Sequence, residues 1–456
     1  MTQSSSSAPA AAPSVRALAG AVGGFFVDMY DVYLPTVVLA PALAYFVPPT
    51  MGAAGQATVN ALIFVASLVG RPLGTLILGP LSDRISRKRM AQVSIIGFGV
   101  STGVMALVPG YATIGMLSPV LLIALRLLDG IFLGGQYTAA NPLALEHAPV
   151  NKRGLYGALL NIGYPVALAV ITIVSLILLA IFPVGDATSA YATTGWRFAF
   201  LFGCALSIPV FIHFTRNVED SSEFKRVEEE VEEGAEARQR PLRELFSGRY
   251  ARTIVVGMMM SCGAWATLDG TVGVYSAHFK AMEVSPTLIS ASLLVTALVG
   301  AVAYPAIGRL TQRVGRGRVI FTLGLINLVV ATIAFGVAVA VHQSSAAFAV
   351  ATFFANLPGI LVWATITTFI NELYPTRIRS TGYGVTHSAT SIIPAFYTYY
   401  MGWLAHLMPY EFTPIVIAGI GAVLLTVAGL LAPDVRTKHM SEITGTETGE
   451  RVALAA

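Results

Sequence analysis

Charged side chains are scarce in this sequence: of 456 residues, 11% are Asp, Glu, Lys or Arg, against about 25% in water-soluble domains. With 55% hydrophobic residues there is too little polar surface to wrap one water-soluble globule, so a soluble enzyme core is a poor reading and lipid is the expected solvent. Cysteine is nearly absent. Cys204 and Cys262 lie in separate apolar stretches without metal-ligand spacing, which reads as packing and argues against redox chemistry. No nucleophile stands beside a base and no phosphate-cradling loop follows a strand, so neither an enzyme nor a cofactor or metal is expected. The start, rich in Ser, Ala and Pro, lacks the basic region and cleavage pattern of a secretory leader, so the first apolar run is expected to be a retained helix.

What the chain has instead is apolar stretches of about 20 residues, each long enough to cross a hydrocarbon core of about 30 Å as a helix. About twelve are centred near Val27, Val69, Gly99, Leu128, Ala167, Leu206, Gly263, Leu298, Val329, Leu361, Ala395 and Ala422. The expected fold is an all-α membrane protein, twelve transmembrane helices in two six-helix bundles. About 24 of the 28 Lys and Arg fall in the termini and the even-numbered loops, the positive-inside asymmetry, which predicts both termini in the cytoplasm and a prokaryotic inner membrane. Arg197 and Lys280 fall at the opposite rim. The net charge of +4 is then topogenic and no nucleic-acid partner is expected. The division is a tail over 1–14, a bundle over 15–214, a loop over 215–252, a bundle over 253–433 and a tail over 434–456. The loop carries Glu228, Glu229, Glu230, Glu232 and Glu233 before Arg238, Arg240 and Arg243, and reads as a solvated interdomain linker with surface helices.

A weak repeat supports two related halves. Gly79-Pro80-Leu81-Ser82-Asp83-Arg84-Ile85-Ser86-Arg87-Lys88 after the second stretch is echoed by Gly308-Arg309-Leu310-Thr311-Gln312-Arg313-Val314-Gly315-Arg316-Gly317 after the eighth. Repeats of this kind build two bundles that rock about a midplane site. Gly79 to Arg89 resembles the loop-two signature of the major facilitator superfamily, which implies alternating-access transport with Asp83 and Arg84 as gate residues. The pattern departs at Ser86, where glycine is usual, and at Gln312, where aspartate is usual, so the second latch is expected to be weaker. Arg71-Pro72-Leu73-Gly74, Arg126 to Gly135, Glu146-His147-Ala148-Pro149 before Arg153-Gly154, Gly195-Trp196-Arg197, and Glu372-Leu373-Tyr374-Pro375-Thr376-Arg377 before Arg379 resemble the organic-acid:proton symporters of that superfamily. Asp28-Met29-Tyr30-Asp31 is similar to the Asp-Gly-x-Asp element of the aromatic-acid and sialate carriers, with Met29 in place of glycine.

Charges within apolar spans are expensive and are functional hypotheses by default. Asp28 and Asp31, three residues apart, share nearly one helical face. At 1.5 Å per residue they lie about 18 and 22 Å deep, with Arg126 about level on the fourth span and Arg71 also near the midplane. An Asp–Arg contact that is made and broken can load and unload a proton. Two readings of Asp129 stand side by side, permanent partner of Arg126 or proton carrier. Arg71 and Arg126 likewise suit either a substrate carboxylate or the span-one aspartates. Glu146 and Arg153 read as gate elements. Asp269, Glu372 and His387 are candidates for a second-half polar site. Pocket candidates are Gln136, Tyr137, Asn141, Asn161 and Tyr164 in the first half, and Trp265, Tyr275, Asn356, Trp363 and Tyr397 in the second. Asn356 and Trp363, seven apart on one face, are the preferred pair. The expected activity is proton-coupled symport of a small organic carboxylate, with a proton-driven antiporter or a uniporter as alternatives. The expected partners are solute, protons and bilayer, and the expected functional unit is a monomer.

Overall fold

A computed structural model describes residues 13–48, 50–51, 53–219 and 241–438. The described residues contain helices and no strand. Twelve helices build two bundles: α1 Pro13–Tyr33, α2 Ala53–Arg84, α3 Arg87–Met105, α4 Leu117–Glu146, α5 Val150–Ile181 and α6 Tyr191–Asn217, then α7 Ala251–Gly273, α8 Pro286–Val314, α9 Arg316–Ala340, α10 Ser345–Asn371, α11 over 379–404 and α12 Thr413–Leu431. Ten of them are long and apolar enough to cross a membrane. The other two are α3, which opens on Arg87-Lys88-Arg89, and α11, which is broken into Arg379–Ser388, Ala389–Ser391, Ile392–Ala395 and Tyr397–Leu404. The glutamate run of the central loop, with Arg238 and Arg240, lies outside the described residues. Arg243 sits on a short helix, Pro241–Leu245.

The molecule is apolar around its girth and keeps the charges of its spans inside. Leu176, Ile173, Val302 and Ile333 are exposed around its girth, whereas Asp28, Asp31, Arg71, Arg126 and Asp129 are buried. That inversion suits a lipid solvent, where a charge must find its partner inside the bundle.

Close helix crossings set the positions of those charges. A Cβ added at Gly74 on α2 would stand 1.9 Å from the carbonyl oxygen of Ile131, and one at Gly134 on α4 would stand 2.2 Å from that of Arg71. Backbone therefore lies on backbone, the device of small residues at membrane helix interfaces, and Arg71 is delivered to the inner faces of α4 and α1. Between the bundles, α2 packs on α11 and α8 on α5, at the face of the molecule where α1 begins and α12 ends, here called the termini face.

Candidate functional site

Asp28 and Asp31 point inward from α1 and take different partners. Arg71 of α2 donates from Nη2 to Asp28 Oδ1 at 2.7 Å, and its guanidinium lies over the Tyr137 ring, 5.2 Å from the centroid. Arg126 of α4 donates from Nη1 to Asp31 Oδ2 at 2.7 Å and to the Asp31 carbonyl at 3.1 Å; the same nitrogen reaches Asp129 Oδ2 at 3.3 Å. Thr102 of α3 donates to the other oxygen of Asp31 at 2.7 Å. The depth count placed Arg126 against the whole aspartate pair. In the fold it serves Asp31 alone of that pair, because α2 brings Arg71 to Asp28. Asp129 is a partner of Arg126, but the longer one, and its Oδ1 has no hydrogen-bond partner among the described residues.

The second half contributes an aromatic layer against this cluster. Trp265 of α7 and Trp363 of α10 meet edge to face at 4.6 Å. His387 of α11 lies 6.2 and 5.9 Å from their centroids, and 5.2 and 5.4 Å from Tyr137 and Tyr383. Its Nδ1 is 3.3 Å from Ser261 Oγ. His387 is thus central, where the sequence reading held it only as a candidate. Unsatisfied polar atoms gather nearby. The side-chain amides of Gln136 and Asn356 are fully buried with neither atom paired among the described residues, and the indole N–H groups of Trp265 and Trp363 have no partner there either. Buried polar atoms without partners are uncommon in native interiors, and a ligand or water is the usual complement.

Other pocket candidates do other work. Asn141 donates to Tyr383 Oη at 3.1 Å and Asn161 to Thr367 Oγ1 at 3.0 Å, and both bonds tie the halves together. Tyr164 lies beside Tyr33, rings 5.9 Å apart. Tyr397 donates to the Gly273 carbonyl at 3.3 Å. Tyr275 is a correction: it packs against Phe279 and Phe348 in a separate hydrophobic cluster, away from the centre.

The contacts between the halves at the termini face form a two-fold repeat that contains the expected gate residues. Asp83, ending α2, accepts from the backbone N–H of Ser380 at 3.2 Å and of Thr381 at 2.8 Å, which open α11 in the other half. Gln312, ending α8, accepts from the N–H of Gly154 at 3.2 Å, opening α5. Each side has a glutamate between two arginines: Glu146 with Arg87 and Arg379, and Glu372 with Arg153 at 3.1 Å and Arg316 at 2.9 Å. Two expectations need correction. Arg84 is exposed, since it sits on the outer side of α2; Arg87, three residues on, is the buried cation that reaches the other half, at the Thr376 carbonyl. Gln312 does not leave the second latch bare. It also donates to the carbonyls of Val150 at 3.1 Å and Arg436 at 3.2 Å, and accepts from Arg316 at 2.9 Å. Glu372, a candidate for a second-half polar site and part of a loop motif, and Arg379, read as loop motif, both belong to these contacts between the halves. The signal was available: Glu146 precedes Arg153 by seven residues, as Glu372 precedes Arg379.

The chain matches the family model of the Major Facilitator Superfamily over residues 17–281 and 254–454. It is 27% identical over 441 residues to the inner membrane metabolite transport protein YhjE of Escherichia coli (strain K12), covering 93% of this chain and 95% of that protein. It is 26% identical over 410 residues to a citrate-proton symporter of Klebsiella pneumoniae, covering 85% of each. A solved structure of the proton:xylose symporter XylE superposes with a TM-score of 0.77 over 94% of this chain and 98% of that one, at 16% identity.

Proposed function

Because the chain belongs to the major facilitator superfamily, whose fold it has, we propose that it is a proton-coupled symporter of a small carboxylate-bearing solute, working by alternating access. One observation carries the coupling: three buried carboxylates, Asp28, Asp31 and Asp129, share two arginines, Arg71 and Arg126. With all five ionised the cluster holds one uncompensated negative charge in a medium where that is expensive, and one proton cancels it. Asp129 is the carboxylate with the weaker hold on its arginine and is assigned the proton. Arg126 then tightens on Asp31, which lets α4 and α1 move as one body.

The solute is assigned to the space between this cluster and the Trp265–Trp363–His387 layer, where Gln136 and Asn356 offer unpaired amides. Asn141 and Asn161 close its floor, and the arginine–glutamate latches close the termini face. Arg71, held by one nitrogen with its Nε unpaired, is the anchor for a carboxylate. The related citrate-proton symporter supports both the acid and the proton. The basic loops support a cytoplasmic placement of the termini, and the likeness to YhjE supports an inner membrane.

Purified protein in proteoliposomes tests this. An inward proton gradient should accelerate entry of a labelled carboxylate. Proton-driven exit would replace symport by antiport, and indifference to the gradient would leave a uniporter.

A further inference from the structure

Lipid faces the girth of the molecule, and beside α12 that surface is indented. α11 does not pass there as one straight helix: it is broken at Ala389–Ser391 and at Phe396, with Pro394 between. The gap it leaves is a cavity of about 300 Å³, walled by Cys262 and Ala266 of α7, Ile393 and Trp403 of α11 and Ile417 of α12. The Tyr400 hydroxyl at its edge is spent within α11, on the Ile393 carbonyl at 2.9 Å.

A second groove lies on the other side of α12. It holds about 360 Å³ between Leu328 of α9 and the α12 residues Gly419 and Val423. Gly419 opens it. Among the described residues no atom lies within 4 Å of a Cβ added there, and a glycine in mid-helix costs about 1 kcal/mol against alanine. Val416, Ile420 and Leu424, four residues apart in turn, border both grooves and form the ridge between them. Ile420 is 58% exposed, so the top of the ridge meets lipid.

Depth and rim suit one leaflet. From Thr413, where α12 begins, to Leu424 the helix rises about 17 Å, roughly half of a hydrocarbon core about 30 Å thick. The grooves thus run from the rim opposite the termini face to the midplane. Of the four tryptophans only Trp403 is exposed, and Tyr399 and Tyr410 are exposed near that rim as well, residue types that sit at headgroup level. A void facing hydrocarbon forfeits contacts on one side, so acyl chains are drawn into it. Two grooves of equal depth astride one ridge match the two chains of one glycerophospholipid better than a single-chain amphiphile.

We propose that the grooves astride Val416, Ile420 and Leu424 are a binding site for one diacyl phospholipid of the leaflet opposite the termini face, with one chain in each groove. The chain in the first groove packs against Ile393 and braces the broken α11, the helix that carries His387 to the centre. The test uses the full chain in nanodiscs of dioleoylphosphatidylcholine, in which a small fraction of the same lipid bears a diazirine midway along one acyl chain. Photolabelling of the peptides containing Ile393–Leu404 and Val416–Leu424 should exceed that around Ile173 and Leu176, comparably exposed on the girth, by about tenfold. Gly419→Trp, which plugs the second groove, should bring the excess down to the level of the girth, and Ile420→Ala, which lowers the ridge, should reduce it. Ile173→Trp should leave it unchanged, and equal melting temperatures certify that the variants fold. A lysophosphatidylcholine carrying the same diazirine should show no excess. Labelling that is even around the girth means annular lipid only and overturns the site, as does an excess that both Gly419→Trp and Ile420→Ala leave intact. An equal excess from the single-chain probe overturns the two-chain assignment.

Discussion

At Arg126 one nitrogen, Nη1, serves both Asp31 and Asp129, while Nε and Nη2 have no hydrogen-bond partner among the described residues. Truncating it would strand two carboxylates in the bundle interior. Arg126→Ala should therefore lose about 3 to 5 kcal/mol of stability, seen as a lowered melting temperature in detergent. Adding Asp31→Asn should recover part of that loss, because the two residues form one network. Asp129→Asn should behave differently. Wild-type uptake should rise as the outside is acidified, since one pH unit of inward gradient supports about tenfold accumulation per proton. The Asp129→Asn variant should show a flat response to outside pH while still exchanging solute at equal pH; a retained gradient response there would move the proton to Asp28 or Asp31. Sequence spacing located all five charges of this cluster, because a charge in an apolar run stands out against its neighbours. Which carboxylate meets which arginine was not legible, since one helical turn of depth error is enough to swap them.

Among the helices, the α2–α4 crossing has the least room. A methyl at Gly74 would collide with backbone, which cannot rotate away as a side chain can. Gly74→Ala should cost about 1 to 3 kcal/mol in thermal stability and displace Arg71 from Asp28. Gly419→Ala is the matched control. Nothing lies within 4 Å of a Cβ there, so its melting temperature should be unchanged. The existence of these helices was plain in the apolar runs. Two were harder to read: α3 takes its first turn from the basic loop motif, and α11 is split around Ala389–Ser391 and Phe396, so neither presents one long clean run.

The halves close against each other through two latches that differ in charge. Asp83, Glu146, Arg87 and Arg379 balance, whereas Gln312, Glu372, Arg316 and Arg153 leave one positive charge over. The chain segment after α12 meets that surplus: Arg153 donates to the Lys438 carbonyl, and Gln312 to that of Arg436. Spin labels at the exposed positions Arg84 and Arg318, with both native cysteines replaced, report the separation of the halves. Glu146→Gln combined with Glu372→Gln should lengthen that distance and favour opening at the termini face. Gln312→Asp should restore the missing carboxylate, populate the short distance and slow turnover in proteoliposomes. No change in either variant would reduce the latches to packing.

The sequence by itself determined the membrane habit, the helix count, the paired halves and the identity of the buried charges, because each is written in local composition and spacing. Only the tertiary structure decided that Asp28 belongs to Arg71, that Arg87 rather than Arg84 turns inward to the other half, and that His387 stands at the centre. Those facts depend on how helices far apart in the chain rotate and cross, which is settled by glycine contacts and packing between elements and by no residue's immediate neighbours.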